Sequence, residues 1–165
     1  MKKYVVTNIK YSIDFQDITD YLETDEFSDI EEENAREEIA ETLPSYLIVE
    51  VEDEEELADA ISDETGWCVE SFNSNLIVDF ITSECNLFLE KDFKYWIKEF
   101  GCDKTDLIDH YGFGYTQLNK LYFLSVDEVT EITMDRETLV KEILDNRDSV
   151  MKMRGILKKI FEENK

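Results

Sequence analysis

Apolar positions in the first 72 residues switch between a two-residue and a three-to-four-residue rhythm. Lys3 to Ile13 is rich in β-branched and aromatic residues, which predicts a strand. Phe15, Ile18, Tyr21 and Leu22 then fall at helical spacing and predict a short helix. Ser28-Asp29-Ile30-Glu31 has the form of a capping box, with Ser28 as N-cap and Glu31 at the third helical position. The helix that follows should run to Leu43, because the residue before Pro44 avoids helical dihedrals. Its apolar residues Ala35, Ile39 and Leu43 recur every four positions, and Glu31, Glu32, Glu33, Glu37, Glu38 and Glu41 cover the rest. Residues 46–51 form a β-type run. Asp53 then reads as the cap of a second acidic helix, from Glu54 to about Ser62, with Glu56 at its third position and a thin stripe of Leu57 and Ile61. Gly66 should end that helix, and Trp67 to Phe72 reads as a strand. The order β-α-α-β-α-β suits a small sheet with helices on one face.

The pattern then changes. Residues 75–80 fit either the end of a strand or the start of a helix. Cys85 to Phe100 reads as a helix with Phe88, Leu89, Phe93, Trp96, Ile97 and Phe100 on one broad stripe, stopped by Gly101. Leu107 to Leu124 is mixed and predicts no element. Arg136 to Phe161 reads as one long helix. Leu139, Ile143, Asn146, Val150, Met153, Leu157 and Ile160 alternate steps of four and three, a heptad seam with Asn146 inside it. The expected fold class is α+β: a small β-sheet with acidic helices over residues 1–74, then a mostly helical part over residues 75–165 ending in a long helix. The two are expected to pack as one compact domain.

Charge adds what the pattern lacks. Residues 1–66 hold 22 of the 41 acidic side chains and only four bases, Lys2, Lys3, Lys10 and Arg36, a net −18 of the chain's −24. Such a field repels nucleic acid and anionic membranes and attracts basic proteins. Disorder is not the expectation, since 42% of the chain is hydrophobic and 12% aromatic. No apolar run is long enough to span a bilayer, and Asn8 and Lys10 interrupt the segment where a signal peptide would need its apolar stretch. Three cysteines, Cys68, Cys85 and Cys102, are too few and too far apart for a disulfide framework, so a reducing, cytoplasmic setting is expected.

Residues 43–72, and most closely Ile61-Ser62-Asp63-Glu64-Thr65-Gly66-Trp67-Cys68-Val69, resemble a segment of uncharacterised small acidic proteins carried by phages and mobile elements of Gram-positive bacteria. The resemblance implies a genomic context and brings no activity or site.

Candidate chemistries thin out quickly. Cys68, Cys85, Cys102 and His110 lack the close pairs of a zinc site. Asp53 to Asp63 lacks the glycine-containing calcium loop. Gly112-Phe113-Gly114-Tyr115 completes no phosphate loop, and the one histidine fits no nucleophile signature. The aromatic residues between Phe93 and Phe123, with Lys91, Lys94, Lys98, Lys104 and Lys120 nearby, fit a core better than base stacking under an opposing field. No enzyme, cofactor or metal is expected.

The expected role is a non-catalytic acidic inhibitor of a basic nucleic-acid-binding protein such as a defence nuclease. In its concrete form this is an anti-defence (anti-CRISPR or anti-restriction) nucleic-acid mimic, with no direct nucleic-acid or membrane binding. The candidate partner-binding residues are Glu31, Glu32, Glu33, Glu37, Glu38, Glu41, Asp53, Glu54, Glu55 and Asp59. The alternatives are an immunity protein or antitoxin against a basic nuclease toxin, and a structural or assembly protein dimerising through the C-terminal helix. A monomer is expected, the seam closing on its own domain.

Overall fold

Strand β1, Lys2–Tyr11, is the middle of an antiparallel sheet, flanked by β2, Tyr46–Val51, and β3, Val69–Leu76. These are features of a computed structural model, which describes residues 1–101, 113–117, 120–124, 129–132, 135–149, 152 and 155. The register sets Tyr4 opposite Val49 and Val6 opposite Leu47 on one side, and Tyr4 opposite Leu76 and Val6 opposite Ser74 on the other. Between Thr7 and Lys10 the pairing with β3 slips by one residue on β1, where Asn8 takes a left-handed φ of 52°, and between Lys10 and Tyr11 it slips by one on β3. One extra residue in a strand turns every later side chain to the opposite face. The core accordingly takes even-numbered Tyr4 and Val6 before the bulge and odd-numbered Tyr11 and Ile13 after it. Asn is one of the few residues that tolerates this conformation.

Three helical elements cover that face. Helix α1, Phe15–Leu22, starts from a capping box made by Asp14 and Asp17 and buries Ile18 completely. Helix α2, Asp29–Thr42, starts from the Ser28–Glu31 box and buries Ala35 and Ile39. Leu43 leaves it in an extended conformation, φ −93° and ψ 153°, as the following Pro44 requires. Helix α3, Leu57–Thr65, buries Leu57 and Ile61 and ends at Gly66, whose φ is 78°. Each fully buried aliphatic side chain here stabilises the unit by about 1.5–3 kcal/mol relative to exposure. Tyr11 adds a polar tie: its hydroxyl donates to the Pro44 carbonyl at 2.8 Å, and burial, with Glu64 nearby, pushes its phenol above the ordinary value.

Asp53 is not a side-chain cap. Residues Glu54–Glu56 form a single 3-10 turn before α3. The Asp53 backbone carbonyl already accepts from the Glu56 N–H at 3.1 Å, so the turn closes through main chain alone. Glu56 reaches back one residue further than a capping box and accepts from the Glu52 N–H at 3.1 Å.

Met1–Leu76 and Ile77–Lys165 are separate compact units. In the second, α4, Ile77–Phe100, packs against β4, Phe113–Gln117, and against α5, Arg136–Asn146. Strands β4, β5 (Lys120–Leu124) and β6 (Val129–Ile132) form another antiparallel sheet in that order. A part read as mainly helical therefore carries its own sheet, two of whose strands, β4 and β5, lie within the stretch 107–124 where the pattern predicted no element. The chain as a whole is α+β.

Helix α4 buries Ile77, Phe80, Ile81 and Glu84, the spacing of one helix face. Ile97, expected on the apolar stripe, is 53% exposed; the side chains of Phe88, Leu89, Phe93, Trp96 and Phe100 lie outside the described ones. Glu84 accepts from Arg147 Nη2 at 2.6 Å, while its other oxygen is buried without a partner among the described residues. The single long C-terminal helix is corrected. Helix α5 ends at Asn146, whose side-chain amide donates to the Glu142 carbonyl at 3.0 Å, and a turn follows at residues 147–148. Leu139 and Ile143 are buried; Val150, Met153, Leu157 and Ile160 lie outside the described residues.

Candidate protein-binding surface

Helix α2 presents its acidic residues to solvent because its buried stripe is so narrow. Ala35 and Ile39 point to the sheet. Glu33 precedes Ala35 by two positions, Glu37 lies midway, and Glu41 follows Ile39 by two. Each such step is about 200° of helical rotation, so these three carboxylates sit on the opposite side. All three are exposed and make no side-chain hydrogen bond or ion pair among the described residues. Successive members are about 6 Å apart along the axis, from a rise of 1.5 Å per residue.

The other α2 acids are engaged. Glu31 accepts from both the Ser28 N–H and its hydroxyl at 2.8 Å, and those hydrogen bonds, the backbone one first, hold its carboxyl below the ordinary value. Glu32 pairs with Arg36 at 2.9 Å, and Arg36 also donates to the Ile13 carbonyl. Glu38 accepts from the Tyr21 hydroxyl at 2.6 Å, a hydrogen bond that raises the phenol above its ordinary value. Arg36, the single base on α2, is thus spent on tying the helix to the chain before α1.

Asp53, Glu54, Glu55 and Asp59 lie on the second acidic segment. Glu54 accepts from the Ser74 hydroxyl at 2.6 Å, whereas Asp53, Glu55 and Asp59 are exposed and unengaged among the described residues. The ten expected residues therefore form two groups, one on α2 and one on the 3-10 turn and α3. Both belong to the helical layer over the same sheet face, since Ala35, Ile39, Leu57 and Ile61 share one core. Among the described residues, six of the ten, Glu33, Glu37, Glu41, Asp53, Glu55 and Asp59, are free to meet a partner.

The charge density has a definite scale. Helix α2 carries seven acids in 14 residues. At 1.5 Å per residue that is one per about 3 Å, close to the 3.4 Å per phosphate of one DNA strand and half the density of duplex.

Apolar exposure was missed by pattern reading. Phe15 and Tyr21 fit the α1 stripe, yet are 57% and 47% exposed, and Ile30 is 71% exposed. Ile30 carried a legible signal, because it falls off the Ala35–Ile39–Leu43 spacing.

Other candidates gather no site among the described residues. Cys68 is exposed and free, while the Cys85 side chain, Cys102 and His110 lie outside the described ones. Among the described residues no group of three or more His, Cys, Asp or Glu side chains is arranged to hold a metal ion. Lys94 pairs with Glu90 at 2.6 Å and Lys98 with Glu99 at 3.8 Å. No helix among the described residues is long and apolar enough to cross a membrane. Comparison of the chain with protein-family models, curated proteins and solved structures finds no match.

Proposed function

We propose that this chain is a non-catalytic acidic inhibitor that binds a basic nucleic-acid-handling protein by standing in for nucleic acid. The observation that carries the reading is the set of six unengaged carboxylates on one helical layer, led by the regular stripe Glu33, Glu37 and Glu41. Like charges at this spacing cost helix stability. A helix that keeps them, with its one base committed elsewhere, is shaped for an outside cation. The α2 charge spacing favours a groove that holds a single strand or one backbone of a duplex. An anti-defence protein of a phage or mobile element, acting on a restriction or CRISPR nuclease, is the concrete form of this role.

The test is a low-salt binding screen against purified restriction endonucleases, CRISPR effectors and nuclease toxin domains. At least one should bind. Replacing the six free carboxylates by Gln or Asn should weaken that complex at least tenfold, mainly through slower association. Absence of binding across the panel, or an affinity indifferent to the six changes, overturns the proposal. Binding confined to a toxin domain would favour the immunity role.

A further inference from the structure

We propose that Phe15, Phe27 and Ile30 form the anchor of the acidic binding surface, and that its occupant is a basic protein presenting an apolar hollow rimmed by Lys or Arg. The inference rests on the inhibitor reading and names the chemistry of the partner's contact face.

Phe15 is the first residue of α1 and Ile30 the second of α2. The rings of Phe15 and Phe27 lie 5.2 Å apart, tilted by 35°, and Ile30 follows Phe27 by three residues. Phe27 is half-buried and packs against the core, whereas Phe15 and Ile30 are exposed, and the fold does not need the exposed faces of those two. Helix α1 is already held by buried Ile18, by its capping box and by the Tyr21–Glu38 hydrogen bond, and α2 by Ala35 and Ile39. Apart from Tyr21, the other exposed large hydrophobic residues of the first unit are Met1 and Leu76, at its two ends.

Charge identifies the occupant. The twenty residues from Asp14 to Glu33 contain ten acids and no base. Nucleic acid and anionic membranes are repelled by a segment of that charge. A second copy placed symmetrically on the same patch would set ten acids against ten. A basic protein is attracted. An apolar centre within a polar rim is the ordinary anatomy of a protein interface, and aromatic side chains dominate its energetic centre.

Two synthetic helical peptides of equal positive charge test this, both with Lys on one face; the Lys-Leu peptide has Leu at i, i+3, i+4 and i+7 on the other face, and its counterpart has Ala at those positions. The intact chain should bind the Lys-Leu peptide roughly tenfold more tightly, the effect of one well-placed apolar anchor. The Phe15→Ser/Ile30→Ser double variant should lose that preference, while Glu33→Gln/Glu37→Gln/Glu41→Gln should weaken both peptides. Since a variant can misfold, wild-type amide and methyl NMR shifts are followed as well, and the Lys-Leu peptide should move Phe15, Phe27 and Ile30. A preference that survives in the double variant, or shifts confined to other residues, overturns the anchor. Equal wild-type affinity for the two peptides overturns the anchor and leaves the charge reading standing. No binding of either peptide sinks both.

Discussion

Replacing Glu33, Glu37 and Glu41 together by Gln should make the first unit more stable while making it a poorer ligand. The substitution removes three like-charge contacts at i, i+4, namely Asp29–Glu33, Glu33–Glu37 and Glu37–Glu41. Each such contact costs about 0.2–0.5 kcal/mol, so roughly 1 kcal/mol is recovered at low ionic strength. Glu41 also lies in the last turn of α2, where an anion opposes the helix dipole and no base offsets it. None of the three side chains has a partner to lose among the described residues. For a unit of this size 1 kcal/mol moves the unfolding midpoint by roughly 4–8 °C. Thermal unfolding followed by circular dichroism should show that rise in about 10 mM salt and most of it erased near 1 M, where the Debye length falls to about 3 Å. Glu32→Gln, which breaks the Arg36 pair, should not show it. A lowered midpoint in the triple variant would mean that these carboxylates hold the fold, and the argument that they are kept for a partner would fail.

Three further predictions come from other parts of the fold. Asn8→Val forces a β-branched residue into the left-handed conformation and should cost about 1–2 kcal/mol in urea unfolding, whereas Asn8→Gly should be nearly neutral; equal costs would refute the bulge argument. Glu31 is held below its ordinary value of 4.5, so its stabilisation is complete above that value and is lost as pH falls through the lowered one. The protection of the Ser28 and Glu31 amides, measured as exchange relative to the intrinsic rate at each pH, should therefore fall below about pH 4.5 in the wild type and lose that dependence in Glu31→Gln. Arg147→Ala strands the buried Glu84 carboxylate and should destabilise the second unit by about 2 kcal/mol, less than the 3–5 of a fully buried pair because Arg147 is 42% exposed, with Lys restoring part of the loss in chemical denaturation.

The elements that were legible in sequence are those whose ends carry local chemistry. The Ser28–Glu31 box, Pro44 and Gly66 each act through their own backbone neighbourhood, and α1, α2 and β2 begin and end within a residue of where the pattern placed them. What escaped depends on distant pairing or on competition between equals. The bulge at Asn8 exists only in relation to β3, so the face switch from Val6 to Tyr11 was hidden in an apparently continuous strand. Asp53 has a capping side chain, but its own carbonyl closed the turn first. The hairpin of β4 and β5 pairs Phe113 with Leu124 and Gln117 with Lys120, a register that an apolar count over 107–124 does not resolve. In the candidate surface, residue type was visible and engagement was not. Glu38 and Glu54 look like Glu37 and Glu55 in sequence, and only the positions of Tyr21 and Ser74 separate the bound carboxylates from the free ones.

Mimicry of nucleic acid, the central claim, is tested most directly by competition. A labelled single-stranded oligonucleotide is bound to the nuclease or effector found in the screen, and this chain is titrated in while anisotropy reports the bound fraction. The account predicts complete displacement, with an apparent affinity that weakens steeply as salt rises and is lost when the six free carboxylates are neutralised. A stable ternary complex, with the oligonucleotide still bound at saturating protein, would contradict it.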